Sequence, residues 1–187
     1  MSILTENLPD FLVIREKKCR IKTDFKTWLK FSETIGREGK TVDKITEILR
    51  LVFYDIPPNL EEAFVEIMKF YSREPESKRK GNSGASKAVY DFEFDGDLIY
   101  AAFLQQYKID LCDIDMHWWT FKALFNGLSE ETSFMKVVQY RSIDLSKIKD
   151  KELKAQYMKL KSAYRLPEKR SEAQKEADMA SSFEKMF

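Results

Sequence analysis

The chain has 187 residues, which suits one domain or two small ones, and 43% of them are hydrophobic, enough to build a core. Its 32 lysines and arginines nearly balance 31 aspartates and glutamates, which argues against a dedicated nucleic-acid-binding protein, since such proteins usually carry a clear basic excess. The first residues, MSILTENLPDFL, lack the basic segment and apolar core of a signal peptide, and no apolar run approaches the roughly 18 residues that span a bilayer, so we expect a soluble intracellular protein.

Two short runs near the N-terminus predict a β-hairpin. The runs are Phe11–Arg15 and Lys18–Lys22, joined by Glu16-Lys17, although this pair lacks the Asn-Gly or Asp-Gly signal of a strong hairpin turn. Thr23 then stands where an N-cap is expected, and the apolar spacing after it predicts a helix that ends near Gly36.

Two further helices complete a predicted N-terminal module over residues 1–72. The sequence YDIPPNL ends the first of them, because proline lacks the amide hydrogen and clashes with the preceding turn. Asn59 can cap the next helix. Residues 73–87, REPESKRKGNSGASK, contain no large apolar side chain and are predicted to form a flexible linker.

Residues 88–167 are predicted to form a C-terminal helical core. Asp95 can cap its first helix, whose buried face includes Phe103 and Tyr107, and Ser129 can cap a later helix. The expected fold is mainly α-helical, with about six helices, a short N-terminal β-hairpin, and two small helical modules joined by the flexible linker.

The stretch DLCDIDMHWWTFKALFNGL, residues 110–128, holds the only histidine of the chain and two of its three tryptophans. As a helix starting near Ile114 it would be apolar on two opposite sides, which is typical of a central buried helix. Trp118, Trp119 and Phe121 are therefore predicted core residues.

The pattern around His117 allows a catalytic or metal site but favours a structural role. His117 would lie one helical turn after Asp113, yet the chain has no second histidine, and Cys112 has no nucleophile motif around it. We expect Asp113 or Asp115 to cap the helix and His117 to be a partly buried imidazole bonded to one of them. The sequence thus predicts no catalytic residue, metal or cofactor, and Cys19 and Cys112 as buried free thiols.

Two features near the C-terminus suit partner binding. Residues 147–170 carry nine lysines and arginines against three acids, which indicates either the wet face of an amphipathic helix or an electropositive surface for nucleic acid or an acidic protein. Residues 168–187 form a polar tail in which Met179, Phe183 and Phe187 recur at helical spacing, typical of a docking helix or of a frayed end.

Four segments, in this order, resemble the bacteriophage Gp15 family of phages and prophages of Gram-positive bacteria: YDFEFDGDLIYAAFLQQYKIDL, MHWWTFKALFNGL, VVQYRSIDLSKIKDKE and KLKSAYRLP. The resemblance is strong over residues 90–167 and looser in IKTDFKTWLKF and PPNLEEAFVEIMKFY. One departure is Lys108, which stands where the motif YGIDL has glycine.

The resemblance implies a role in tail morphogenesis. Such proteins are encoded near the major tail protein and the tape measure protein, a position typical of tail assembly chaperones. It implies a noncatalytic protein of the host bacterial cytoplasm that binds the tape measure protein and the major tail protein, with self-association left open and no membrane or nucleic-acid partner expected. The alternatives are a structural virion component of the tail or head–tail connector, and a nucleic-acid-binding or regulatory protein that uses the 147–170 face.

Overall fold

The computed structural model describes residues 3–37, 41–73 and 89–167. Over these ranges the chain forms a two-stranded antiparallel sheet, seven α-helices and a short 3-10 helix. The elements in chain order are β1 (Phe11–Ile14), β2 (Lys17–Arg20), α1 (Phe25–Gly36), α2 (Thr41–Val52), α3 (Leu60–Ser72), α4 (Gly96–Tyr107), α5 (Trp118–Asn126), α6 (Ser133–Ser142), the 3-10 helix (Leu145–Lys147) and α7 (Lys151–Ala163). The prediction of a mainly α-helical fold with an N-terminal hairpin is confirmed.

The hairpin turns one residue earlier than predicted. Ile14 pairs with Lys17, which leaves Arg15 and Glu16 as the two turn residues. Both have positive φ angles, 45° and 63°, as a type I′ turn requires, and this turn matches the twist of the flanking strands. The Arg15 amide donates to Oε1 of Glu62 at 2.9 Å, which ties the turn to the start of α3.

The caps of α1, α3 and α6 agree with the sequence prediction at one position and differ from it at two. The Asn59 side chain accepts an amide of the first turn of α3, as predicted. Asp24 caps α1 in place of Thr23, and Thr132 caps α6 in place of Ser129. Ser129 instead accepts an amide two residues later in a turn that precedes α6, so that helix begins further along the chain.

The starts of α1 and α5 are joined by backbone hydrogen bonds. The Phe25 amide donates to the carbonyl of Met116 at 2.9 Å, and the Trp118 amide donates to the carbonyl of Thr23 at 2.7 Å. Asp24 and His117, which directly precede the two helices, form an antiparallel bridge with each other, and both have extended dihedral angles. The prediction that α5 starts near Ile114 was therefore wrong, because its backbone up to the bridge is not helical.

One hydrophobic core contains residues from both predicted modules. The indole of Trp118 donates to the carbonyl of Tyr71 at 3.0 Å, and that of Trp119 donates to the carbonyl of Phe70 at 2.8 Å. These carbonyls belong to the last turn of α3, where intrahelical partners run out. The two predicted modules thus share one core, while most of the predicted linker, residues 73–87, lies outside the described residues.

A buried ion pair joins α4 to α6. Asp95 occupies the N-cap position of α4, as predicted, but its side chain makes no capping bond. Its carboxylate instead accepts two bonds from the Arg141 guanidinium, at 2.6 and 2.8 Å, and a third from the Asp91 amide at 3.0 Å. Arg141 also donates from Nε to the carbonyl of Tyr164 at 2.6 Å, so the pair links three helices.

The last helix, α7, packs only lightly on the rest of the described structure. None of its side chains is buried, and both Leu153 and Met158 are exposed. Its contact with α6 includes the rings of Tyr157 and Tyr140, whose centroids are 6.4 Å apart.

Candidate helix-docking groove

An apolar groove of about 360 Å³ lies between α1, the start of α4, the segment after α4, and α5. Its lining residues are Phe25, Lys26, Leu29, Phe92, Gly96, Ile99, Tyr100, Leu111, Cys112 and Phe121. Several of them are core residues, and the rings of Phe25 and Phe121 stack at 5.0 Å. A Cβ added at Gly96 would meet no atom within 4 Å, so this part of the groove is open space. The core therefore supports a concave apolar surface of a size found for binding cavities, roughly 300–1,000 Å³.

The polar groups in the groove are already hydrogen-bonded within the chain. Nζ of Lys26 donates to the carbonyl of Cys112 at 2.8 Å, and the Tyr100 hydroxyl donates to Oδ2 of Asp110 at 3.2 Å. That bond, with desolvation and the negative charge of Asp110, raises the pKa of Tyr100. Small-molecule sites usually add several convergent polar groups to an apolar lining. This lining is therefore better suited to the apolar side chains of a protein segment than to a small molecule.

Charged residues of both signs lie close in sequence to the residues that line the groove. Residues 91–115 contain seven acids and one lysine. Six of the acids directly precede or follow a lining residue, and we call four of them the acidic wall: Asp91, Asp97, Asp110 and Asp113. The α1 side carries Lys26 and, one turn later on the same helix face, Lys30, followed by Glu33. Because the Lys26 ammonium lies on the carbonyl of Cys112, next to Asp113, positive and negative charges are close together at this edge of the groove.

His117 is the N-cap of α5. Its Nδ1 accepts the Trp119 amide at 3.0 Å, and its Nε2 donates to the carbonyl of Pro9 at 3.1 Å. Burial lowers the pKa of His117, the Pro9 bond opposes this, and the positive charge of Arg73 adds to it. The prediction that a preceding aspartate caps the helix was wrong, because the histidine does so itself. Among the described residues, no three His, Cys, Asp or Glu side chains are grouped so that they could hold a metal ion.

The five predicted core and family-motif residues lie together around α4 and α5. Trp118, Trp119, Phe121 and Phe103 are buried, and Tyr107 is half-buried with its hydroxyl donating to a carbonyl of α5 at 2.9 Å. Phe121 stacks on Phe103 at 5.2 Å and also lines the groove. One of these five residues therefore belongs to both the core and the candidate site.

The two C-terminal features are described only in part. Residues 147–167 of the basic 147–170 face are described, and Lys161 within them donates to the carbonyl of Ile143 at 2.7 Å. Met179, Phe183 and Phe187 lie outside the described residues. None of the described helices combines the length and apolar composition that crossing a bilayer requires.

The groove leaves no continuous pattern in the sequence, because four separate segments of the chain form it. Leu29 belongs to the apolar spacing that predicts α1, and Phe92 and Leu111 belong to acidic segments without periodic apolar spacing. Cys112 was expected to be a buried thiol but is exposed at the groove. The sequence signal that could have indicated the groove is the presence of single apolar residues between acids, as in DFEFDGD and DLCDID.

Comparison with known proteins gives one match. A family model described as Bacteriophage Gp15 protein matches residues 4–166, a range that includes the whole groove and α7. No curated protein and no solved structure matches the chain.

Proposed function

The chain belongs to the bacteriophage Gp15 family, and from this premise we propose that it is a noncatalytic tail assembly chaperone whose groove binds helical segments of the tape measure protein. Membership of the family indicates a phage structural or morphogenesis protein. The chaperone role, its action in the host cytoplasm and its recruitment of the major tail protein are parts of the proposal.

The apolar groove is the observation that supports this role. A long helical client exposes apolar stripes that associate with one another unless another surface covers them. Helix-in-groove recognition covers such a stripe by inserting a few side chains one turn apart. Burying one large apolar side chain contributes about 1.5–3 kcal/mol before ordering costs are subtracted. Each groove would thus bind weakly, and many copies along one client would hold it together through avidity.

Gly96 offers a direct test, because it lines the groove and a Cβ placed there would meet no atom of the chain within 4 Å. The tape measure protein of the same phage genome would be co-expressed with the wild type, Gly96→Leu or Gln105→Leu. Gln105 is exposed on the same helix and does not line the groove, so it is the matched control. We expect wild type and Gln105→Leu to keep the client soluble and co-purify with it, and Gly96→Leu to lose most of both effects while remaining folded by circular dichroism.

A wild-type protein that neither solubilises the tape measure protein nor co-purifies with it would overturn the chaperone role. Mass spectrometry of purified particles separates the main alternative, since a chaperone should be absent from virions and a tail or connector component should be present in fixed copy number.

A further inference from the structure

The residues that precede the polar tail, residues 168–187, lie close to the apolar groove. Nε of Arg141 donates to the carbonyl of Tyr164 at 2.6 Å, and the same guanidinium donates to the carboxylate of Asp95 at 2.6 and 2.8 Å. Asp95 directly precedes Gly96, which lines the groove. One side chain therefore holds the end of α7 beside the groove, shortly before the described residues end at 167.

The apolar side chains of the polar tail are within reach of the groove. Met179 lies twelve residues after Pro167, and Phe183 and Phe187 follow at spacings of four. Because an extended chain spans up to ~3.3 Å per residue, twelve residues can cover up to about 40 Å, more than the diameter of a small domain, roughly 30 Å. The chain length therefore allows these three side chains to contact the groove of the same molecule.

The groove and these three side chains match in chemistry. The lining is apolar, its polar groups are hydrogen-bonded within the chain, and a Cβ at Gly96 would meet no atom within 4 Å. Methionine fills irregular apolar surfaces, and phenylalanine buries a large area on them. The tail carries four lysines and arginines against five acids, so its net charge neither attracts it strongly to the acidic wall nor repels it strongly.

The tail and the groove differ in their relation to the family. The family model matches residues 4–166, a range that contains every residue of the groove lining but none of the polar tail. A segment that follows this range can act on the groove of this chain while the family fold stays the same.

We propose that Met179, Phe183 and Phe187 occupy the groove of their own molecule when no client is bound. Only the consequence for the client rests on the proposed function. A short linker gives a tethered segment an effective concentration on the order of mM, so even weak insertion of a few side chains fills a large fraction of the grooves. A client then binds with an affinity reduced in proportion to the fraction of grooves left open, and it displaces the tail by mass action.

Disulfide trapping tests this contact in the full-length protein, because Cys112 lines the groove and is exposed, whereas Cys19 is buried. Ser182→Cys places a thiol beside Phe183 without removing an apolar side chain. A disulfide needs Cα atoms within roughly 7 Å of each other. Mild oxidation should therefore trap an intramolecular bond between residues 112 and 182, seen as faster migration on non-reducing gels and as a cross-linked peptide in mass spectrometry.

Two pairs of substitutions in the Ser182→Cys protein show whether apolar insertion brings the thiols together. Phe183→Ser with Phe187→Ser keeps the chain length but removes two inserted side chains, and should slow cross-linking by at least roughly tenfold, because the tail is then no longer held at the groove. Glu184→Ser with Lys185→Ser, the matched control, changes two residues between them without changing the net charge, and should leave the rate unchanged.

A synthetic peptide of residues 171–187 measures how far the tail fills the groove. In fluorescence anisotropy it should bind the protein with Phe183→Ser and Phe187→Ser roughly threefold to tenfold tighter than the wild type, whose own tail competes for the site. Gly96→Leu should abolish binding of the peptide and should also slow the cross-link of Ser182→Cys, because it places a side chain in the groove.

The absence of an intramolecular cross-link would overturn the proposal. So would a disulfide-linked dimer at low protein concentration, since a second copy would then be the occupant, or a cross-linking rate that Phe183→Ser with Phe187→Ser leaves unchanged, since chance encounters would then explain the bond. Neither measurement uses the tape measure protein, so the two proposals fail separately. Cross-linking without client co-purification defeats only the chaperone role, whereas co-purification without cross-linking defeats only the docking of the tail.

Discussion

Arg141→Met should destabilise the protein strongly, because it leaves a buried carboxylate without its partner. The Asp95 side chain is 1% exposed and that of Arg141 is 6% exposed, and the two are joined by bonds of 2.6 and 2.8 Å. Methionine roughly preserves the length of the apolar stem but removes every donor. Of these hydrogen bonds to the Asp95 carboxylate, only the one donated by the Asp91 amide, at 3.0 Å, would remain.

The expected cost follows from that geometry. Breaking a buried pair by removing one partner costs about 3–5 kcal/mol, since the remaining charge stays desolvated. For a chain of this length each kcal/mol lowers Tm by about 2–4 °C, so the expected drop is roughly 6–20 °C. Arg141 also donates to the carbonyls of Tyr164 and Val89, and the loss of these bonds adds to the cost.

Urea denaturation followed by circular dichroism would measure the change in the free energy of unfolding. The double variant Asp95→Leu with Arg141→Met removes both charges and should be more stable than Arg141→Met alone, because no buried carboxylate is left unpaired. Lys159→Met, an exposed cation of α7, is the control and should change stability by less than about 0.5 kcal/mol. A cost below about 1 kcal/mol for Arg141→Met, or a double variant as unstable as the sum of the two single ones, would refute the reasoning.

Three further predictions concern single positions. Trp118→Ala should lower the free energy of unfolding by about 3–5 kcal/mol in urea, because it removes a side chain that is 1% exposed and bonded to the end of α3, and a loss under about 1 kcal/mol would contradict its place in the core. Burial lowers the pKa of His117 in the folded state, so in mild acid the unfolded chain binds more protons than the folded one. The free energy of unfolding should therefore be unaffected by His117 above pH 6.5, the ordinary pKa of histidine, and should fall as the pH drops below that value. His117→Asn, which keeps a capping acceptor, should flatten this slope in denaturation curves at several pH values, and an unchanged slope would show that another group causes it. Lys108→Gly should raise the free energy of unfolding by ~1 kcal/mol, because Lys108 has a φ of 59° at the C-cap of α4, and a fall in Tm would oppose that explanation.

The sequence predicted elements well where one local signal decides the outcome. Asn59 is flanked by a proline break and an apolar helix, and it caps α3 as expected. At Lys108 the glycine expected from the family motif corresponds to a left-handed backbone position, so the departure marks a real conformational requirement. The buried tryptophans of α5 were likewise predicted from apolar spacing alone.

Prediction failed where distant residues compete for the same backbone or side-chain group. His117 caps α5 because the bridge with the start of α1 holds its segment extended, and helical spacing contains no trace of that pairing. Asp95 leaves its capping role because Arg141, 46 residues away in the chain, supplies a stronger charged partner. The groove depends on the same kind of long-range assembly, and only its acidic flanks were visible in the sequence.

The backbone bridge between the starts of α1 and α5 also bears on how fast and how tightly the groove can bind. It fixes Phe25 and Phe121, one from each helix, in the stacked arrangement that lines the groove before any partner arrives. A site that is already formed loses little conformational entropy on binding, so more of the energy from a few inserted side chains appears as affinity. For the client helix of the proposed function, association would then be limited by encounter and orientation, at about 10⁵–10⁷ M⁻¹s⁻¹. Fast capture with short residence at each site would let a client helix be covered as it emerges and uncovered when another protein takes its place.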